Sequence, residues 1–352
     1  MNKDGRLIDD TRFASENGSM IVAEIGLNFD GDQSVAIELI DAAAACGVDA
    51  VKFQTFQTDE FISDRSATYS YTLTNGEVVC ESEYEMFKRH ELSFESHQAL
   101  KKHASKNGLI FFSSAADIMS CELLSQLKVD LYKIASVDLP NLKLLENVGK
   151  KRATVILSTG MADEEEIDLA ISTLVKSGAG ALILMHCVSV YPTPVESASL
   201  RKISELRRRF RLPVGFSDHT DGVEAAIISV GLGSCVFEKH FTLDRGRRGP
   251  DHRFSADPSK MSAYVRMIRT AEKALGSGNI ECTEIERESR QKFRCSIHAS
   301  ETIMSGDKIT DDMIAINRPG TGLQPYEAES VIGRKAKREI LQGQMILLKD
   351  LC

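Results

Sequence analysis

Short apolar runs of four to six residues recur along the first three quarters of the chain, at 20–25, 50–53, 109–112, 131–134, 154–157, 181–186, 213–216 and 235–239. They lack clean polar alternation, which predicts parallel strands buried on both faces. Segments with apolar residues at helical spacing lie between them. The segment 34–46 stops at Gly47, 93–106 stops before Asn107-Gly108, 163–176 opens on acids and ends at Gly178, and 257–275 closes the series. Glycine just past a last turn and acids in a first turn are expected end signals of helices. Eight alternations of strand and helix over ~275 residues predict a (β/α)8 TIM barrel. An open doubly wound sheet is the competing architecture, usually with fewer strands.

Two stretches break the rhythm. Residues 55–92 are long and polar, with Tyr69, Tyr71 and Asn75, and are expected to form a loop overhanging the barrel mouth. After Gly276 a charged linker leads into 294–352, which reads as short strands and turns, the texture of a small β-rich domain. The expected division is a barrel domain over 1–279, a linker over 280–293 and a C-terminal domain over 294–352.

Composition narrows the function. The 352 residues are 42% hydrophobic and 27% charged, with a net charge of −8 and no basic block, so no nucleic-acid partner is expected. The start, MNKDGRLIDD, has no apolar core of a secretory signal, and runs such as 181–185 are far too short to span a bilayer. The eight cysteines form no CxxC pair, as expected of reduced thiols in a cytoplasmic protein. No GxGxxG, GxxxxGK[ST] or GxSxG motif is present, so dinucleotide, P-loop and serine-hydrolase readings lack support.

Chemically loaded residues gather at strand ends, where a barrel of this kind builds its active site. His219 and His240 end the seventh and eighth strands, which are neighbours in a barrel. Together they can reach one divalent ion with positions left open for water and substrate, and the same spacing also suits two hydrogen-bonding barrel histidines. Lys52 and Lys133 end the second and fourth strands and suit a phosphate or carboxylate, or are solvated. Ser136, Ser158 and Ser217 add hydroxyl donors. Glu24 ends the first strand as a candidate acid/base or hydroxyl ligand. Glu238 and Lys239 point to opposite faces by strand alternation. Asp251 lies in the loop after strand eight.

In combination these segments resemble the sialic acid synthase family. The matching stretches are AEIG at 23–26, VKFQ at 51–54, YKIAS at 132–136, LSTGM at 157–161, HCVSVYPTP at 186–194, GFSDHT at 215–220, EKHFT at 238–242 and GPD at 249–251. NRPGTGL at 317–323 looks like the family's antifreeze-like (SAF) domain. The resemblance covers almost the whole chain, in order. It implies a TIM barrel fused to a SAF domain in a domain-swapped homodimer, with no membrane partner. It further implies condensation of phosphoenolpyruvate with an acetamido sugar, N-acetylmannosamine or a 2,4-diacetamido-trideoxyhexose, to a nine-carbon 2-keto acid with release of phosphate.

Carried over residue by residue, His219 and His240 match ligands of a divalent metal, Mn²⁺. Lys52, Lys133, Ser136, Ser158 and Ser217 match positions that bind phosphoenolpyruvate, and Glu24 matches a carboxylate beside the metal. Gln54, Tyr191 and Asp251 match sugar-contacting positions, and Arg318 matches an arginine that reaches the partner's site and meets the sugar N-acetyl group. Ser189 stands where sialic-acid-making members carry asparagine, and Asp138 where they carry glutamate; both face the substrate and leave the sugar open. A synthase acting on a phosphorylated aldose, of the 3-deoxy-octulosonate-phosphate type, and a non-catalytic carbohydrate-binding scaffold are the other readings.

Overall fold

The computed structural model describes residues 18–352, and the amino-terminal segment considered for a secretory signal lies outside them. The chain opens with β1 (Met20–Glu24), α1 (Gln33–Ala45) and β2 (Ala50–Thr55). An excursion follows, made of α2 (Thr58–Phe61), β3 (Thr68–Thr72), β4 (Val78–Ser82) and α3 (Glu83–His90). Regular units then resume with α4 (Phe94–Lys106), β5 (Ile110–Ala115), α5 (Ile118–Gln126), β6 (Leu131–Ile134), α6 (Leu142–Lys150), β7 (Thr154–Ser158) and α7 (Glu164–Ser177). They end with β8 (Leu182–His186), α8 (Arg201–Phe210), β9 (Val214–Ser217), α9 (Glu224–Gly231), β10 (Val236–His240) and α10 (Pro258–Leu275). Eight parallel strands close into a barrel in the order β1-β10-β9-β8-β7-β6-β5-β2. Each predicted strand is present, with ends shifted by no more than three residues.

Local signals act as their chemistry dictates. The Asp163 side chain and Glu166 form a reciprocal capping box at the start of α7, and Gly178 ends that helix at φ 96°. Asp257 accepts from the Lys260 amide at the start of α10, with Pro258 in the first turn.

Strand parity sorts side chains into two layers. Ile21, Ala23, Val51 and Phe53 face the helices and join the large outer core. Met20, Val22, Ala50, Phe112, Leu131, Ile156, Ile183, Met185 and Val236 fill the barrel interior as a separate apolar cluster. Continuing the inward parity toward the carboxyl ends gives Glu24, Lys52, Lys133, Ser158, Ser217 and Glu238. The barrel is therefore plugged by hydrocarbon below and lined by ionisable groups above.

The expectation of a plain loop over 55–92 is corrected. Tyr71 pairs with Val79 across the β3–β4 ladder, and both bury with Leu73 and Met86 in a small core of the excursion's own. The segment's polar composition hid this core because only a few positions are buried.

Residues Ser277–Cys352 form a second compact unit. The charged stretch expected as a linker carries a helix, α11 (Glu284–Phe293), opened by a capping box between Thr283 and Glu286. Beyond it, β11 (Ser296–Ala299) pairs antiparallel with β12 (Ile314–Asn317). Ile297, Ile303, Ile309, Val331, Ile340 and Ile346 make this unit's core.

Candidate active site

At the carboxyl ends of the barrel strands a cavity of about 430 Å³ opens. Its floor is ionic. Lys52 Nζ lies 2.9 Å from Glu24 Oε2 and 3.6 Å from Glu238 Oε1. Lys133 Nζ donates to both Glu238 oxygens, at 2.8 and 2.9 Å. Ser217 Oγ donates to Glu238 Oε1 at 3.2 Å, and Gln54 Nε2 donates to Glu24 Oε1 at 2.9 Å. All four charged groups are at most 4% exposed, which rules out solvated lysines. Burial pulls Lys52 down, but Glu238 and Glu24 outweigh it, so its ammonium is held above the ordinary value. Burial dominates at Lys133, with Lys52's charge adding to it, and pulls that group below the ordinary value. The two bonds to Glu238 nevertheless define an ion pair, and Glu238 is held low by the two lysines against the cost of burial.

Glu238 is the main residue that sequence reasoning did not assign. Its only signal was inward parity two positions before His240, next to two inward lysines. Lys239, of opposite parity, points away and pairs with Asp218 at 3.1 Å behind the strands.

Above the floor sit the histidines, with ring centroids 5.6 Å apart. His219 Nδ1–H donates to the Val188 carbonyl at 2.8 Å, so Nε2 carries the lone pair, 3.2 Å from Ser217 Oγ. Burial, and then the neighbouring His240, push the His219 pKa to about 3, which keeps it neutral. His240 Nδ1 is buried without a hydrogen-bond partner and lies 3.5 Å from Asp251 Oδ2. Burial pushes the Asp251 carboxyl up, and His240 outweighs it, leaving it below the ordinary value. Tyr191 packs on His219 with centroids 4.2 Å apart, and Phe254 packs on His240 at 5.1 Å.

This donor set fits a divalent transition ion. A neutral imidazole offers a lone pair, and a second ring nitrogen is buried and unsatisfied. No cluster of three His, Cys, Asp or Glu side chains suited to a metal occurs among the described residues, and the two imidazoles are the groups of this cavity that could hold such an ion.

The rim is polar on one side. The Gly160 amide donates to Ser136 Oγ at 3.0 Å, and Ser136 Oγ lies 3.1 Å from Cys187 Sγ. A Cβ on Gly160 would come within 2.6 Å of Ser189 Oγ and 2.8 Å of Ser136 Oγ, so only glycine lets these side chains converge. Asp138 lies on the same side; burial, and then Asp117, raise its pKa to about 7. Ser158 completes the set. Every candidate residue of the barrel thus lines one cavity. Arg318 belongs to the second unit, where its guanidinium stacks 5.6 Å from the Phe293 ring centroid.

Residues 39–280 match the NeuB family and residues 294–351 match the SAF domain. The chain is 38% identical over 335 residues to the N,N'-diacetyllegionaminic acid synthase of Legionella pneumophila, covering 94% of each chain. It is 31% identical over 338 residues to the pseudaminic acid synthase of Campylobacter jejuni, covering 96% of this chain and 98% of that one. The crystal structure of the N-acetylneuraminic acid synthetase of Leptospira borgpetersenii superposes with a TM-score of 0.70 at 33% identity, over 78% of this chain and 90% of that chain.

Proposed function

The chain belongs to the NeuB family, and from that premise we propose that it condenses phosphoenolpyruvate with an open-chain acetamido sugar to a nine-carbon 2-keto acid. The observation that carries this reading is the buried Glu24–Lys52–Glu238–Lys133 floor beneath the His219–His240 pair in one cavity. Relatives named for acetamido-sugar acids favour it over the phosphorylated-aldose and non-catalytic readings.

Lys52, Lys133, Ser136, Ser158 and Ser217 hold the phosphate and carboxylate of phosphoenolpyruvate. Lysine has three donors, and Lys133 spends two on Glu238, so one remains for the ligand. A divalent ion, Mn²⁺, held by His219 and His240, would supply Lewis acidity at the sugar aldehyde. The alignment set by the lysines brings the enol carbon C3 onto the aldehyde carbon. A C–C bond forms, negative charge is left on the former aldehyde oxygen and positive charge develops at C2. Water adds at C2, and Glu24, ion-paired with Lys52 at 2.9 Å, takes its proton and relays it to the former aldehyde oxygen, which becomes a hydroxyl. The new C2 hydroxyl gives its proton to the departing group as the C2–O bond to phosphorus breaks. Phosphate leaves and C2 becomes the ketone.

Arg318 of a second copy meets the sugar N-acetyl group in a domain-swapped homodimer. Eight free thiols suit the cytoplasm, and among the described residues no helix is long and apolar enough to cross a membrane.

The test is phosphate release from phosphoenolpyruvate by Mn²⁺-supplied protein. Release that requires both phosphoenolpyruvate and an acetamido sugar is expected. Release without sugar, or none with any acetamido sugar from folded, metal-loaded protein, would contradict the reading.

A further inference from the structure

The excursion between β2 and α4 gives the cavity a wall of a different character from its floor. Of residues 56–92, those lining the cavity are Phe56, Phe61, Tyr69, Met86 and Phe87. Phe56, Phe61 and Phe87 form one cluster, with ring centroids 6.0 Å apart for Phe56–Phe61, 5.2 Å for Phe56–Phe87 and 5.0 Å for Phe61–Phe87. Phe61 and Phe87 remain half-buried although the cluster is packed, so part of each ring faces the cavity. The Tyr69 hydroxyl is the one polar side-chain group this wall offers. Sugar hydroxyls placed against the Phe56, Phe61 and Phe87 rings, away from that hydroxyl, would lose water and find no partner.

We propose, on the premise of the reaction above, that the Phe56–Phe61–Phe87 wall selects a sugar whose end remote from the aldehyde is apolar, a 6-deoxy acetamido sugar, over one that ends in hydroxyls. The relatives are named for several different acetamido-sugar acids and do not decide between these classes. N-Acetylmannosamine carries hydroxyls on C4, C5 and C6. A 2,4-diacetamido-2,4,6-trideoxyhexose ends in a methyl group at C6, which packs on aromatic rings together with the methyl of its C4 acetamido group. An apolar pocket rejects an added hydroxyl by only roughly a hundredfold, because part of its desolvation is relieved. Discrimination of that order is therefore expected here, with both sugars bound through the same floor.

The test compares kcat/KM for the two sugars at saturating phosphoenolpyruvate in the full chain. Wild type is expected to favour the diacetamido sugar by roughly a hundredfold. Phe61→Tyr and Phe87→Tyr keep the rings and add a hydroxyl, and should narrow the ratio by about tenfold with the KM for phosphoenolpyruvate unchanged. Phe87→Leu keeps the wall apolar and should keep the preference. Equal use of both sugars by wild type, or a ratio unmoved in folded tyrosine variants, would overturn the wall's role and leave the reaction standing. Turnover of neither sugar would overturn the reaction itself, and the wall's role with it.

Discussion

Asp138 shows how a single residue's surroundings set its chemistry. Its carboxyl, on the rim of the cavity, has a pKa raised from 3.8 to about 7 by burial and by Asp117. A folded pKa above the unfolded one means that folding retains a proton. Between about pH 4 and pH 7 the unfolded chain releases that proton and the folded chain keeps it, so the fold loses stability as pH rises through this window and is level above it. Asp138→Asn mimics the neutral form. It should stabilise the protein at pH 8 by about 1–3 kcal/mol more than at pH 5, read from urea melts at the two pH values; an equal effect at both would show that the carboxyl is ionised in the fold. At this scale the sequence was informative where residue type and strand position agree. Lys52, Lys133, His219 and His240 were legible as groups at or just past strand ends. Glu238 was not, because charge pairing between β10, β2 and β6 is a long-range fact. Its separation from Lys133 along the chain is 105 residues, and no local pattern reports it.

The excursion is the element that sequence reading described least well. Its hairpin is held by its own small core and by Arg89, which grips both Glu81 oxygens at 2.6 and 2.7 Å. Its turn reaches the loop after β10, where Thr74 Oγ1 donates to the Arg245 carbonyl at 2.5 Å. The element's seat depends on Gly31. That residue sits at φ 77°, and a Cβ there would collide with the Arg89 carbonyl oxygen. Gly31→Ala combines a left-handed backbone cost of roughly 1–2 kcal/mol with this collision. It should therefore unseat the excursion while leaving the barrel floor intact. We expect faster proteolysis near residues 73–77 and a sugar KM raised about tenfold, with the KM for phosphoenolpyruvate within about twofold of wild type. Parallel increases in both values would show that the excursion supports the floor as well. The barrel strands, by contrast, were legible almost to the residue, because uninterrupted apolar runs bounded by glycine and acidic caps have few other solutions.

For the whole molecule, the chain divides at Gly276 into a barrel unit and a SAF-type unit, and the change of texture there was visible in sequence. The proposed sharing of a site between two copies belongs to this scale. If Arg318 serves the cavity of a partner, an Arg318→Ala chain and a His240→Gln chain complement each other. Each mixed dimer then holds one site with both residues intact. Randomly mixed chains should recover about a quarter of wild-type activity, where each variant alone has almost none. No recovery in demonstrated mixed dimers would put Arg318 and His240 of one chain in the same site.

The central claim is that carbon–carbon bond formation is coupled to cleavage of the C2–O bond of phosphoenolpyruvate over the Lys52–Lys133 floor. Its most direct test is the fate of ¹⁸O placed in the bridging position of phosphoenolpyruvate, followed by mass spectrometry of the phosphate released with an acetamido sugar. Cleavage of the C2–O bond predicts that the label leaves with phosphate and is absent from the 2-keto acid. Label retained in the keto acid, with unlabelled phosphate, would mean that the P–O bond breaks instead, and would contradict the claim.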